Sequence, residues 1–271
     1  MAGTCLTDVE RSSVAFDRAA ECYDATRGLS PAGVRRQTDL LASELAGRGP
    51  VLEVGIGTGQ VGLPLHEAGL VVFGLDLARP MMDKLIEKAG GRSPFPLVQA
   101  DATRIPFRDG AFGAAIARWV FHLIPAWPAA LDEIVRILGR EGTIFVSLGA
   151  MGKDTPQSEI HARFAELAGV TFQPSGLMWA GYDELDAAML ALGATPRPLP
   201  SFVDVERDGL DAFLDGIANS AYSWTWSVED PELVRRVARE IRVWAEERYG
   251  PIDRVPRREF EVTWRAYDLP G

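Results

Sequence analysis

Residues 50–60 of the 271-residue chain read PVLEVGIGTGQ. The apolar run after Pro50 predicts a short buried strand, and the glycines at positions 55, 57 and 59 predict a tight turn directly behind it. A helix predicted from residue 60 would direct its free backbone N–H groups across that turn. This segment therefore predicts a β/α unit whose turn lets a ligand approach the backbone closely.

The same alternation of strand and helix continues as far as residue 149. Further strands are predicted at 70–76, 96–100, 112–118 and 142–148, with helices at 60–68, 80–89 and 127–138. Apolar strands separated by helices indicate a parallel sheet that is covered on both faces. We therefore predict the α/β class, with a Rossmann-like, doubly wound and mostly parallel sheet.

The segments outside this core are predicted to form mostly helices, together with strands that include an antiparallel one. Helices are expected at 8–27, 31–46, 156–169, 183–192, 208–218 and 230–248, and strands at 196–206 and near the end of the chain. Alternating apolar and polar residues from Glu259 to Tyr267 favour an antiparallel terminal strand. The predicted organisation is a single domain over 1–271, with a helical N-terminal cap at 1–49, a core at 50–149, helical lid insertions at 150–182 and 207–257, and a terminal strand at 258–271.

Composition excludes several classes of function. The 28 basic and 38 acidic residues give a net charge of −10, which opposes binding of a phosphate backbone, so no nucleic-acid partner is expected. Only Cys5, Cys22 and three histidines could bind a soft metal, and none of them is clustered, so no metal site is predicted. The absence of a long apolar run predicts a cytoplasmic protein that does not enter a membrane.

Two carboxylates follow neighbouring strands of the predicted sheet. Ligands of open α/β sheets bind at the carboxyl ends of the strands. Asp76 ends the second strand and suits a ribose diol, because a carboxylate accepts hydrogen bonds from two vicinal hydroxyls. Asp101 follows the third strand and suits the amino group of adenine. Each feature alone is equally typical of a turn or a helix cap, but their order along the chain favours a nucleoside site.

Five segments together resemble a known family. They are VLEVGIGTGQ at 51–60, GLDLARPMM at 74–82, VQADATRIPF at 98–107, AFGAAIARWVFHLIP at 111–125 and ALDEIVRILGREGTIFVS at 130–147. In this order they resemble the class I S-adenosylmethionine-dependent methyltransferases, and most closely the branch that acts on small molecules of secondary metabolism. The resemblance extends over residues 10–150.

The resemblance implies a set of residues around S-adenosylmethionine. Asp76 would bind the ribose, Met81 would pack on the adenine, and Asp101 would meet the adenine amino group. Tyr23, from the segment FDRAAECYDATRG, would close over the cofactor, and Arg27 would lie near its carboxylate. The full implied set is Tyr23, Arg27, Glu53, Gly55, Gly57, Gly59, Gln60, Asp76, Leu77, Met81, Asp101, Ala102, Arg118 and Trp119.

Two alternatives remain open at this stage. Gly57 to Gly62 also spells G-x-G-x-x-G, and Asp76 lies at about the distance expected for a dinucleotide site, which would predict an NAD-dependent oxidoreductase. The glycine series begins earlier, at Gly55, and Asp101 has no role in that scheme. The second alternative is a protein that binds the cofactor without catalysis.

The expected reaction is an in-line methyl transfer that leaves S-adenosylhomocysteine, and it requires alignment more than it requires a base. If the acceptor must lose a proton, His122 is the predicted base, although a histidine bonded to backbone is equally expected there; Tyr23 is the second predicted catalytic residue. The predicted substrate-binding residues are His122, Trp179, Tyr222, Trp224 and Trp226. Aromatic walls favour a small, aromatic acceptor such as an indole or a phenol, methylated on O, N or C by a monomer or homodimer.

Overall fold

A computed structural model describes residues 13, 16–17, 20–149, 155–172, 176–177, 182–205, 209–255 and 259–271. Its strands are β1 (Val51–Val54), β2 (Val72–Asp76), β3 (Leu97–Gln99), β4 (Ala114–Arg118), β5 (Thr143–Ser147), β6 (Thr195–Pro198), β7 (Phe202–Val205), β8 (Glu259–Val262) and β9 (Arg265–Asp268). Seven of them form one sheet in the order β3-β2-β1-β4-β5-β9-β6, and β7 pairs with β8 in a second, two-stranded sheet.

Nine α-helices lie among the described residues. They are α1 (Tyr23–Thr26), α2 (Pro31–Leu45), α3 (Gly62–Glu67), α4 (Arg79–Lys88), α5 (Trp127–Leu138), α6 (Pro156–Ala168), α7 (Asp183–Ala191), α8 (Leu210–Ala218) and α9 (Pro231–Tyr249). Short 3-10 turns occupy Phe121–Leu123, Ser223–Ser227 and Ile252–Arg254. Of the helix predicted at 8–27, only Tyr23–Thr26 is an α-helix among the described residues, and most of its first half lies outside them.

The predicted fold class is confirmed. Strands β1 to β5 run parallel to one another, and β9 pairs antiparallel with both β5 and β6. Both faces of the sheet are covered, since one apolar core packs around Ile134 and Ile144, and another packs around Leu41 and Phe145. Strands β1, β4 and β5 are buried at every position, which explains why they read as continuous apolar runs.

The two strands predicted at 196–206 and 258–271 are each divided, which the sequence did not indicate. Thr195 pairs with Asp268 and Pro198 with Arg265, whereas Phe202 pairs with Val262. Three residues therefore separate the two pairings between β6 and β7, and two residues separate them between β8 and β9. This extra residue is a β-bulge, which bends an antiparallel ribbon. The ribbon thus leaves the main sheet and forms the small β7-β8 sheet.

Helices α6, α8 and α9, here called the lid helices, pack on one another and have a core of their own. Ile160, Phe164, Leu214, Ile217, Val237 and Ile241 are all buried within it. Helix α7 instead packs against the core of the main sheet through Leu185 and Met189. The lid helices lie within the segments predicted as lid insertions, whereas the division of the chain at 49, 149 and 257 stays a prediction.

A buried carboxylate joins the small sheet to helix α2. Asp204 on β7 is only 4% exposed, and it accepts hydrogen bonds from the backbone N of Ser30 at 2.8 Å and from its Oγ at 2.5 Å. The Ser30 Oγ in turn accepts a hydrogen bond from Gly33 N at 3.0 Å, so it caps the helix. A Cβ at Gly33 would lie 2.6 Å from the Asp204 Cγ. Only glycine leaves room for this contact.

We expect Gly33→Ala to destabilise the protein by about 1–3 kcal/mol, because the added methyl group overlaps the Asp204 carboxylate. In an Asp204→Ala background the overlap is gone, and the same substitution should be neutral or should stabilise by up to about 1 kcal/mol through helix propensity. Urea unfolding followed by circular dichroism measures both effects. Equal destabilisation by Gly33→Ala in the two backgrounds would contradict this account.

Candidate functional site

A cavity of about 490 Å³ opens at the carboxyl ends of the central strands. It lies between the sheet, the N-terminal segment, the lid helices and the small sheet. Most of the predicted site residues lie on its wall, namely Tyr23, Arg27, Gly55, Gly57, Asp76, Leu77, Met81, Asp101, Ala102, Arg118, Trp119, His122, Tyr222 and Trp224. Glu53, Gly59, Gln60 and Trp226 are not on this wall, and Trp179 lies outside the described residues.

The glycine turn after β1 requires glycine for two physical reasons. Gly55, Gly57 and Gly59 have φ angles of +72°, +53° and +77°, a region that L side chains rarely adopt. A Cβ at Gly59 would also lie 2.7 Å from the Leu85 Cδ1, and one at Gly57 would lie 3.3 Å from the Met81 Cε. The turn therefore packs tightly on helix α4 and presents bare backbone to the cavity.

The carboxylate of Asp76 holds this turn in place. One of its oxygens accepts a hydrogen bond from Gly57 N at 2.7 Å, and the other accepts one from Ala78 N at 2.8 Å. Burial raises the pKa of Asp76, and the backbone donors oppose that rise. The backbone of Leu77 is a third donor to this carboxylate, which leaves lone-pair capacity for a further donor. The carboxylate is therefore rigidly placed and can still accept hydrogen bonds from a diol in the cavity.

Asp101 is oriented in a similar way at the next strand end. Its Oδ1 accepts hydrogen bonds from the backbone N and from the Oγ1 of Thr103, both at 2.8 Å. Ala102 beside it is buried and also lines the cavity. Asp76 and Asp101 thus lie at the carboxyl ends of the adjacent strands β2 and β3 and share one wall.

Arg118, at the end of β4, is a buried cation with unpaired donors. Its Nη1 donates to Gln60 Oε1 at 2.8 Å, and its guanidinium carbon lies 3.7 Å from the ring centre of Trp119. Its Nε and Nη2 are buried and have no hydrogen-bond partner in the described structure. Burial lowers the pKa of this guanidinium. An anionic group placed against these two nitrogens would satisfy them and offset the cost of the buried charge.

Trp119 follows with a φ of +56°, which is unusual for a bulky side chain. Its backbone N donates to the Ser147 carbonyl at 2.8 Å, which ties the segment after β4 to the end of β5. A Cβ at Gly149 would lie 2.8 Å from the indole Nε1. The indole is therefore wedged between Arg118 and Gly149 at the cavity wall.

Glu53 lies behind the glycine turn and not on the cavity wall. A Cβ at Gly62 would lie 2.6 Å from its Oε2, so the carboxyl group packs against the start of α3. Burial raises the pKa of Glu53 to about 8, and the charge of Arg118 and the backbone of Gly62 only partly oppose this. Its predicted contact with the cofactor stays a prediction, while its position favours support of the turn.

Gln60 links the glycine turn to the N-terminal segment. Its Nε2 donates to Asp24 Oδ1 at 3.0 Å and also to the Arg27 carbonyl. Asp24 further accepts from Thr58 Oγ1 at 2.5 Å and pairs with Lys88 at 2.8 Å. Burial would raise the pKa of Asp24, but these polar partners together hold it below its usual value.

Asp24 and Thr58 were not among the site residues predicted from the sequence. Asp24 is a polar residue of the cap segment and Thr58 one of the glycine turn, and nothing along the chain indicates that residues 34 positions apart are partners. Gly59 and Gln60 line a second cavity of about 240 Å³, which shares Asp24 and Arg118 with the first.

Arg27 joins the N-terminal segment to the lid. Its guanidinium carbon lies 5.2 Å from the ring centre of Tyr23 and 4.8 Å from that of Tyr222, and its Nη1 donates to the Ala221 carbonyl at 2.8 Å. Burial lowers the pKa of Arg27 and raises that of Tyr23. These contacts direct at least one Arg27 nitrogen toward the lid.

His122 is a neutral imidazole on the cavity wall. It lies in the 3-10 turn Phe121–Leu123, and its carbonyl accepts a hydrogen bond from Gly176 N at 2.9 Å. Burial lowers the pKa of His122 to about 3, and the positive charge of Arg27 adds to the effect. The side chain is therefore uncharged throughout the neutral range.

The lid provides aromatic surface, although not every predicted residue takes part. Tyr222 and Trp224 stack with ring centres 5.6 Å apart and an angle of 12° between the planes, and both line the cavity. The Trp226 Nε1 donates to the Ser220 carbonyl at 2.7 Å, and its ring packs on Phe16 at 4.9 Å. Trp226 therefore packs behind this wall, because its polar atom and its ring already have partners there.

Neither a metal-binding cluster nor a membrane-crossing helix is found in the described ranges. They contain no group of three or more histidine, cysteine, aspartate or glutamate residues arranged to hold a metal ion. Across the same part of the chain, no helix combines the length and the apolarity needed to cross a membrane.

Comparisons with known proteins find similarity to methyltransferases. A family model described as a methyltransferase domain matches residues 52–146. The demethylmenaquinone methyltransferase of Thermus thermophilus is 33% identical over 139 residues, which cover 48% of this chain and 62% of that protein. The phosphatidylethanolamine N-methyltransferase of Cereibacter sphaeroides is 31% identical over 127 residues, covering 46% and 61%. The chain thus spans less than two thirds of the length of these relatives.

One solved structure matches over nearly the whole chain. A crystal structure of a putative methyltransferase from an antibiotic biosynthesis pathway of Anabaena variabilis superposes with a TM-score of 0.65 at 16% identity, covering 90% of this chain and 99% of that one. This likeness shows a shared fold.

The strand order also distinguishes the methyltransferase prediction from the alternative of an NAD-dependent oxidoreductase. Dinucleotide-binding sheets of the Rossmann type are commonly parallel throughout, in the order 3-2-1-4-5-6. Here an antiparallel strand, β9, lies between β5 and β6. Together with the motifs at the strand ends and the matches above, this topology makes the chain similar to the class I S-adenosylmethionine-dependent methyltransferases, and residues 52–146 match the methyltransferase domain model.

Proposed function

We propose that the protein transfers a methyl group from S-adenosylmethionine to a small acceptor molecule. The observation that carries this proposal is one cavity whose wall holds both Asp76 and Asp101, from the strand ends, and Tyr222 and Trp224, from the lid. A cofactor and an acceptor can therefore meet within it. When bound, the cofactor supplies a methyl group activated by a sulfonium.

The residues of the cavity fit the parts of this cofactor. Asp76 has lone pairs for the ribose hydroxyls, and Asp101 and Ala102 suit the edge of the adenine. Met81 is 2% exposed and supplies an apolar face next to the glycine turn. The unpaired Nε and Nη2 of Arg118 suit the carboxylate of the methionine part. We assign no metal to the reaction.

The acceptor is proposed to be neutral and at least partly aromatic, with an indole or a phenol as the preferred type. The stacked rings of Tyr222 and Trp224 support this choice, because flat aromatic surfaces pack well on a planar ligand. Tyr23 would exclude water from the transfer by closing the cavity between the N-terminal segment and the lid. The cytoplasmic location, the monomeric or homodimeric state, and the lack of nucleic-acid or membrane partners stay predictions.

His122 is proposed as the base for acceptors that must lose a proton. An imidazole with a pKa of about 3 is a weak base. A phenol oxygen or an indole nitrogen that has just gained a methyl group is, however, strongly acidic, so a neutral imidazole within hydrogen-bonding distance can take its proton. For acceptors that need no proton loss, alignment in the cavity accounts for the rate.

Asp76→Ala should weaken the binding of S-adenosylhomocysteine about 10- to 100-fold, because the loss of one hydrogen bond to an ionised group costs about 1.5–3 kcal/mol. Isothermal titration calorimetry of the wild-type protein, of this variant and of the exposed control Asp132→Ala measures the effect. NADH is the parallel titrant. Unchanged affinity in Asp76→Ala, or binding of NADH in place of S-adenosylhomocysteine, would refute the proposed cofactor site.

His122→Ala should lower turnover of a phenol or indole N–H acceptor about 100-fold and leave the affinity for S-adenosylhomocysteine within about twofold, because the imidazole acts only on the departing proton. Since the pKa of His122 lies near 3, its protonation should produce no acid limb in the turnover of the wild-type protein between pH 5 and pH 8. Consumption of S-adenosylmethionine with a panel of phenols and indoles measures both. His66→Ala serves as the matched histidine control, and full activity of His122→Ala would exclude the base.

A further inference from the structure

The lid side of the cavity is nearly free of available charge. Arg27 is bonded to the Ala221 carbonyl and surrounded by aromatic rings. Glu261 is exposed at the rim and already accepts a hydrogen bond from Ser201. The remaining wall here includes the neutral imidazole of His122 and the apolar rings of Phe213 and Trp224. Desolvating an ionised acceptor against such a wall is unfavourable, so the wall favours an uncharged one.

One polar side-chain atom on this wall, the Oε1 of Gln157, has no hydrogen-bond partner in the described structure. Gln157, in the first turn of α6, is 9% exposed, and its Oε1 is buried without a hydrogen-bond partner in the described structure. A buried carbonyl oxygen without a donor is costly, and such oxygens in folded proteins are nearly always paired. Something other than the described chain is therefore expected to supply the donor.

Gln157 is not needed to begin the helix. Thr155 caps α6 by accepting a hydrogen bond from Ser158 N at 3.2 Å, and the Ser158 Oγ accepts one from Thr155 N at 2.9 Å. This reciprocal arrangement satisfies the start of the helix by itself. The amide of Gln157 is therefore not needed for capping the helix, and it lies on the wall of the cavity.

We propose that the side-chain amide of Gln157 determines acceptor specificity by accepting a hydrogen bond from a hydroxyl or ring N–H group of the acceptor. The substrate class is then a neutral, largely apolar molecule that carries at least one such donor. This inference rests on the proposed function, because it places the acceptor in the lid side of the same cavity. An acceptor without the donor leaves the amide unpaired and binds more weakly.

The test compares ligands that differ only in the donor. Indole against 1-methylindole and phenol against anisole are titrated by equilibrium dialysis into protein saturated with S-adenosylhomocysteine. We expect the donor-bearing member of at least one pair to bind about 5- to 10-fold more tightly to the wild-type protein, the range for one neutral hydrogen bond. Gln157→Met should abolish this preference, whereas Gln157→Glu keeps an acceptor oxygen and should retain it.

Two controls distinguish recognition of the acceptor by Gln157 from a purely structural role and from loss of the cofactor site. The melting temperature of Gln157→Met should equal or exceed that of the wild type, since an unpaired polar group is replaced by an apolar one of similar shape; a lower value would indicate a structural role and overturn the proposal. The proposal is likewise overturned if the preference is absent in the wild type, persists in Gln157→Met, or if no member of either pair binds. Failure of the wild type to bind S-adenosylhomocysteine would instead refute the proposed function.

Discussion

The hydrogen bond from Gly57 N to the Asp76 carboxylate, at 2.7 Å, is the contact on which the site depends. It joins the turn after β1 to the end of β2, and so it couples two strands beyond the point where their own pairing stops. The turn needs this support because Gly55, Gly57 and Gly59 all have positive φ angles, which an unrestrained glycine segment would sample only part of the time. The same carboxylate faces the cavity, so one group both shapes the turn and presents a ligand-binding oxygen.

Behind the turn, polar groups are buried at a cost that the folded chain does not offset by itself. Glu53 has a pKa raised to about 8, and Arg118 keeps two buried nitrogens without partners among the described residues. Such groups destabilise a protein in isolation, and they are found where a ligand completes their interactions. In this protein Arg118 lies on the cavity wall at the end of β4, where the carboxylate of the proposed cofactor would complete its interactions, whereas Glu53 lies behind the turn.

Three elements from distant parts of the chain close the cavity, namely the N-terminal segment, the lid and the small β7-β8 sheet. The N-terminal segment is held to the glycine turn by Asp24 and Gln60, and to the lid by Arg27. The β-bulge between the two sheets turns β7 and β8 toward the cavity, where Val205 and Val262 join its wall. Asp204 then fastens this small sheet to helix α2. Polar contacts thus connect the glycine turn, where the cofactor is proposed to bind, with the lid, where the acceptor is proposed to bind.

The amino-acid sequence alone determined the class of fold and most of the proposed cofactor wall. Buried parallel strands are apolar throughout, and the ligands of such a sheet lie where its strands end, so local patterns were enough to find Gly57, Asp76 and Asp101. These are features of single segments, and each is encoded within a few residues.

The tertiary structure decided what depends on contacts between distant segments. Asp24 is joined to the glycine turn by Thr58, a partner 34 residues away. Trp226 does not line the cavity as predicted, because its ring packs on Phe16. Gln157 stands out only because no donor among the described residues reaches its buried oxygen, a property of its surroundings that has no sequence signal. The bulge that divides the terminal strand also depends on the pairing of two strands, since one extra residue is defined only relative to a partner.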